Sequence, residues 1–178
     1  IFLTTVEKGY EHSGNHGVHM TEEDLRIMKK RGLCIVTNPA SNLKLASGIA
    51  PIADYLKLGI PVAIGTDGPA SNNCLDMFRE MFLVTDISDK FCQPSVLLRC
   101  HAITLLCDVL AAGKYADMIR IDLKQPNMQP IHNICKNLVY SGSKANVKMT
   151  MVNGKILYEN GVFAEELKAD RIYQHIGL

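Results

Sequence analysis

The chain has 178 residues, 47% of them apolar and 21% charged, the balance of a folded globular chain rather than a disordered one. Nineteen Lys and Arg stand against eighteen Asp and Glu, so no excess of charge points to nucleic acid or to a membrane surface, and neither is expected as a partner. No apolar run approaches the roughly 18 residues of a membrane span, and IFLTTVEKGY lacks the pattern of a secretory signal.

Residues 1 to 15 show no clean period, and Ser13-Gly14-Asn15 reads as a turn. The short HGVHM stretch (16–20) reads as a strand end. Thr21 can cap the helix that follows, because Glu22, Glu23 and Asp24 put acids where the helix dipole favours them. Leu25 and Met28 supply its apolar stripe, with Ile27 beside it. Lys29, Lys30 and Arg31 suit its last turn and Gly32 its end. LCIVTNP (33–39) is a β-branched, uncharged strand stopped at Asn38-Pro39. ASNLKLASG (40–48) reads as a loop of small residues. IAPIADYLKLG (49–59) is a short helix with Pro51 in its first turn, Ile52 and Leu56 on one face, and Gly59 at its end. IPVAIGTD (60–67) is the next strand. CLDMFREMFLV (74–84) is a helix with Leu75, Phe78 and Phe82 on one side, and SVLLRCHAITLLCDVL (95–110) is another.

Strand–loop–helix units in succession imply parallel strands with helical crossovers, and strands buried on both faces read as continuous apolar runs, as these do. Beyond Gly113 the pattern changes. ADMIRIDL (116–123) alternates with period two, and NLVYSG (137–142) and VKMTMVNGKILYENGVF (147–163) are also strand-like. Asn153-Gly154 is a strong hairpin signal and Asn160-Gly161 a second turn. Residues 113–163 are therefore expected to form a small antiparallel β module. A helix over about 164–176 is expected to close the chain. The six cysteines, at 34, 74, 92, 100, 107 and 135, include no C-x-x-C pair and read as free thiols of a reducing cytosol, so a cytoplasmic location is expected.

In α/β folds ligands bind beyond the carboxyl ends of the parallel strands. Three polar groups lie there: His16 and His19, Thr37-Asn38, and Asp67. Asp67 reads either as a turn residue before glycine or as a metal ligand that handles a proton. Its place at the mouth of a buried strand favours the second, and Gly65 and Gly68 leave room for an ion or ligand. On a strand, His16 and His19 would point to opposite faces, so one of them can face the site. No G-x-G-x-x-G follows any strand, which excludes a Rossmann-type cofactor site.

Three stretches carry more than spacing: NHGVHMTEEDL, NPASNLKLASGIAPI and VAIGTDGPASNNCLDMFREM. Together they resemble the amidohydrolase superfamily, and within it the 5′-methylthioadenosine/S-adenosylhomocysteine deaminase branch. AGKYADMIRIDL and MVNGKILYENG resemble the segment in which that family leaves its barrel for a small β-sandwich. The resemblance covers about residues 15 to 165. It implies a (β/α)8 TIM-type barrel holding one divalent metal, Zn2+ or Fe2+. It implies a reaction in which a metal-bound hydroxide attacks a purine-like carbon and ammonia leaves. It implies that Asp67 ligates the metal and takes a proton from its water, that His16 hydrogen-bonds the hydroxide, and that Ser71 contacts substrate. The partner implied is a small nucleoside or heterocyclic amine, and a homo-oligomer is expected.

The chain also departs from that pattern. It has no His-x-His pair, and none of its six histidines is followed by Glu three residues on. A catalytic zinc normally has three protein ligands, and a closed barrel takes roughly 250 residues. Residues 1–112 are therefore expected to be about the last three units of a barrel, followed by the β module at 113–163 and a C-terminal helix at 164–178. The remaining ligands are expected in a longer chain. Two alternatives stay open: another amidohydrolase, of guanine deaminase or triazine chlorohydrolase type, or an inactive remnant serving as an interaction module.

Overall fold

The computed structural model describes residues 13–89, 116–168 and 171. The helix expected over 95–110 lies outside the described residues, as does most of the one expected over 164–176, where a 3-10 turn spans Glu165–Leu167. The fold is α/β and divides into two compact units.

The described part of the first unit comprises residues 13–89 and 131–142. Its centre is a parallel sheet in the order β1 (Ser13–Asn15), β2 (Cys34–Thr37), β3 (Val62–Ile64). Asn15 pairs with Val36, and Thr37 with Ile64. Ser13-Gly14-Asn15 is thus a strand rather than the expected turn: the sheet supplies hydrogen-bond partners that a three-residue stretch cannot advertise. The expected strand end at 16–20 is not extended. His16 and Gly17 both have positive φ, 65° and 61°, and turn the chain out of the sheet.

Helix α1 (Glu22–Arg31) has the anticipated ends. Thr21 Oγ1 accepts from the Asp24 N–H at 3.2 Å while the Asp24 carboxylate accepts from the Thr21 N–H at 2.9 Å, and Gly32 closes the helix in the left-handed region. Leu25 and Met28 are buried, and Ile27 is exposed. They pack with Ile35, Ala50, Ile52, Tyr55, Ile60 and Val62 in one core. Burying each such Ile or Val side chain contributes roughly 1.5–3 kcal/mol relative to leaving it in water.

Two expectations fail here for one reason. Residues 40–48 were expected to be a loop, but Pro39–Lys44 form helix α2. NLVYSG was expected to be strand-like, but Ile134–Tyr140 form helix α5. Short stretches carry too little period to separate helix from strand or loop, and packing decides. Helix α2 is built against α4 (Met77–Asp89), which supplies the acceptor for its Ala40 N–H. Helix α5 is capped by Asn133, whose side chain accepts from the Lys136 N–H at 3.0 Å, and it packs on α4 with Val139 buried and Tyr140 edge-on to Phe82. Phe78, Met81 and Val84 of α4 are buried; Leu75 and Phe82, expected on that face, are exposed. Helix α3 (Ile52–Lys57) follows Pro51 and buries Ile52 and Tyr55.

The described part of the second unit comprises residues 116–130 and 143–168. Its antiparallel sheet runs in order β4 (Met118–Ile121), β5 (Val147–Val152), β6 (Lys155–Glu159), β7 (Val162–Phe163). Asn153-Gly154 and Asn160-Gly161 make the two turns, each with both residues at positive φ, the conformation such dipeptides favour. Fully buried Asn146 accepts from the Asn127 side chain and from Ser143 N–H, tying the approach of β5 to the loop after β4.

Candidate functional site

The three parallel strands end together, and the residues that follow them converge. β1 leads into His16, β2 into α2, and β3 into the loop 65–76. Asp67, three residues past β3, sits in the left-handed region at φ 61°, a conformation Asp tolerates better than most residues. Its Oδ2 accepts from two hydroxyls, Ser71 Oγ at 2.6 Å and Ser41 Oγ at 2.7 Å, and its Oδ1 accepts from the Gly68 N–H at 2.8 Å. The Ser71 hydroxyl, then the Ser41 hydroxyl, then the Gly68 amide hold the Asp67 carboxyl down at about 2, against a small opposing effect of burial.

His16 Nε2 lies 3.8 Å from Asp67 Oδ2. The other ring nitrogen, Nδ1, is 2.8 Å from the Asn42 side-chain oxygen on α2, an acceptor that places a proton on Nδ1 and fixes the ring plane. The backbone under His16 is fixed too. Its N–H donates to Val36 O at 2.8 Å, and the buried Tyr55 hydroxyl donates to Gly17 O. Burial, with Asp54 adding to it, pushes the Tyr55 hydroxyl up to about 12, so it remains a donor. A Cβ at Gly17 would lie 2.9 Å from Ile35 Cγ2 and 3.2 Å from the Tyr55 hydroxyl, which is why glycine stands there.

Helix α2 organises the rest. Ser41 reaches Asp67, Asn42 reaches His16, and Lys44 Nζ donates to Ala70 O at 3.1 Å and Asn73 Oδ1 at 2.6 Å. Behind it stands Glu80 of α4, fully buried. Its Oε2 accepts from the Ala40 N–H at 2.9 Å and its Oε1 from Asn72 Nδ2 at 2.6 Å. Burial pushes the Glu80 carboxyl up, and the two donors oppose that.

The structure thus brings together His16, Asp67 and Ser71, the three residues singled out in the sequence. It leaves His19 exposed. Thr37 and Asn38 are buried beneath the site, and the Asn38 side chain turns back to Val36 O at 3.5 Å. Gly65 does not leave room for a ligand. A Cβ there would sit 2.5 Å from Asn38 Oδ1, whereas at Gly68 it would meet nothing within 4 Å. Ser41, Asn42, Lys44 and Glu80 escaped sequence reasoning. The first three were hidden by reading ASNLKLASG (40–48) as a loop. The signal for Glu80 was a lone carboxylate inside the apolar run MFREMFLV.

Among the described residues no group of three or more His, Cys, Asp or Glu side chains is placed to hold a metal ion. Asp67 and His16 alone do not make a catalytic metal centre, which needs three protein ligands. The described cysteines, Cys34, Cys74 and Cys135, are free thiols. No helix among the described residues is long and apolar enough to cross a membrane.

The parallel strands end in a carboxylate, an imidazole and two hydroxyls, the end at which α/β folds bind their ligands, and the chain belongs to the amidohydrolase family, whose model matches residues 8–157. Among individual relatives, the chain is 41% identical over 159 residues to the 5-methylthioadenosine/S-adenosylhomocysteine deaminase of Thermoanaerobacter pseudethanolicus, covering 82% of this chain and 37% of the relative. It is 38% identical over 157 residues to the same-named protein of Dictyoglomus thermophilum, covering 81% and 37%. Among solved structures it resembles an adenosine deaminase from Xanthomonas campestris with bound zinc, at TM-score 0.76 and 27% identity, covering 93% of this chain and 41% of that one. The chain spans about two fifths of the length of the curated relatives it matches.

Proposed function

We propose that this chain is part of a hydrolase that removes an amino group from a purine-type nucleoside of the methylthioadenosine or adenosylhomocysteine kind. The observation that carries the reading is the convergence of Ser41, Ser71 and His16 on the Asp67 carboxylate at the carboxyl ends of three parallel strands. The names of relatives 38% and 41% identical support the substrate class. In this reading β1 to β3 are a section of a (β/α)8 barrel, and the four-stranded sheet is part of a small β-sandwich. Asp67 contributes one ligand to a divalent cation, with zinc favoured by the zinc-bound adenosine deaminase it resembles. The other ligands come from residues beyond those described.

When bound, such a cation acts as a Lewis acid toward water and substrate. The chain's own residues do the rest. The three hydrogen bonds to Asp67 keep it ionised across the neutral range, as a ligand must be. Asn42 holds the His16 ring with Nε2 toward Asp67, where an imidazole can hydrogen-bond the reacting oxygen. Ser71, on the loop after β3, gives its hydroxyl proton to Asp67 and keeps its oxygen as an acceptor for a substrate polar group.

The test is ammonia release by the full-length protein, reconstituted with Zn2+ or Fe2+, from methylthioadenosine, adenosylhomocysteine and guanine. Turnover of the first two that is abolished in Asp67→Ala, together with loss of bound metal, is the expected result. Turnover of guanine alone would move the assignment to another member of the family. No turnover by a metal-loaded protein would overturn the reading.

A further inference from the structure

We infer that Glu80, one helix removed from the site, is a positioning residue whose carboxylate sets the two hydroxyls around Asp67. The inference rests on the function proposed above. Two hydroxyls meet on a single oxygen of Asp67, and they come from different segments, Ser41 from α2 and Ser71 from the loop after β3. The neighbour of each is held by Glu80. Ala40, next to Ser41, gives its N–H to Oε2 at 2.9 Å, and Asn72, next to Ser71, gives its side-chain N–H to Oε1 at 2.6 Å. Asn72 also donates to the carbonyl of Thr66, the residue before Asp67, at 2.8 Å. One fully buried carboxylate therefore joins the two segments that share the Asp67 oxygen, a link that exposed Lys44 of α2 also makes, through Ala70 O and Asn73 Oδ1.

The chemistry requires a carboxylate at this position. The Asn72 amide can face only one way: its nitrogen serves the Thr66 carbonyl, an acceptor, and its oxygen takes the Cys74 N–H at 3.2 Å, a donor. Asn72 thus presents an N–H to Glu80, and Ala40 presents another. Both partners donate, so position 80 must offer two acceptors. Glutamine offers one acceptor and one donor, and in either orientation its NH2 meets an N–H. An unmatched buried donor is costly enough that one segment moves away.

The experiment compares wild type, Glu80→Gln and Val139→Ala in the full-length protein. Val139 is buried in α5, has an apolar side chain that makes none of the hydrogen bonds of the site, and serves as a control for destabilisation alone. The readouts are kcat and KM for methylthioadenosine, metal retained after dialysis against a chelator, and amide hydrogen exchange over residues 66–74 in the metal-free protein. Displacement by about 1 Å is enough to cost on the order of 100-fold. Glu80→Gln is expected to lose about 10- to 100-fold in kcat, with KM changed less than about threefold. It should also retain less metal and exchange its loop amides about tenfold faster, by the same loosening. Val139→Ala should show none of these at a similar loss of melting temperature. Glu80→Gln behaving as Val139→Ala in all three would overturn the inference. If wild type neither retains metal nor turns over, the functional reading has failed. Exchange over 66–74 then decides alone: faster in Glu80→Gln sustains the positioning role, unchanged refutes it.

Discussion

Alanine at Gly65 and alanine at Gly68 should have opposite consequences, although both glycines flank Asp67 within three residues. An added Cβ at Gly65 would stand 2.5 Å from Asn38 Oδ1 and 3.1 Å from Val36 Cγ1. Ordinary contact begins near 3.4 Å, so Asn38 must yield by most of an ångström. Asn38 has little freedom to do so. It is 5% exposed and directly precedes the Pro39 that opens α2, and Gly65 N–H is itself bonded to Thr37 O at 2.8 Å. Overpacking of this kind costs about 1–3 kcal/mol. At Gly68 the same methyl meets nothing within 4 Å, and neither glycine is at positive φ, so Gly68→Ala carries neither a clash nor backbone strain. Urea unfolding followed by circular dichroism is expected to show a lower midpoint for Gly65→Ala with an unchanged slope, and no shift beyond about 0.5 kcal/mol for Gly68→Ala. Activity should separate them differently: Gly68 borders the open face of the site, so its alanine variant should weaken substrate binding while remaining stable. A Gly65→Ala protein as stable as wild type, or a Gly68→Ala protein that is the less stable of the two, would refute the packing argument.

Removing the Tyr55 hydroxyl (Tyr55→Phe) leaves the Gly17 carbonyl without its buried donor and should cost about 1–3 kcal/mol in urea unfolding, with loss of activity through His16. Because the Asp67 pKa is depressed in the fold, its contribution to stability is complete above the ordinary value of 3.8 and is lost as pH falls toward about 2. Ser71→Ala removes the largest cause of that depression, so the carboxyl titration of Asp67, followed by carbon-13 resonance in the metal-free protein, should move upward, and acid unfolding should begin at higher pH. Thr21→Ala breaks the capping box of α1 and should lower stability by about 1 kcal/mol without altering turnover, because α1 reaches no site residue through that cap.

Much of the frame was legible in the residues alone. Period and punctuation placed α1, β2, α3 and β3 to within three residues at each end, because Thr21, Gly32, Asn38-Pro39, Pro51 and Gly59 act through local backbone chemistry that needs no tertiary partner. The Asn-Gly turns placed the β5–β6–β7 meander for the same reason. Asp67 was found because a carboxylate at the mouth of an apolar strand is costly without a partner. Tertiary structure decided everything that depends on what lies across a gap. Three residues at 13–15 become a strand only when β2 offers its hydrogen bonds. NPASNLK becomes a helix only when Glu80, about 40 positions later, accepts the Ala40 N–H. NLVYSG becomes a helix only against α4. The partners of Asp67 were invisible for the same physical reason: hydrogen bonds between Ser41, Asn42, His16 and Asp67 span 26 positions, and no local period encodes them.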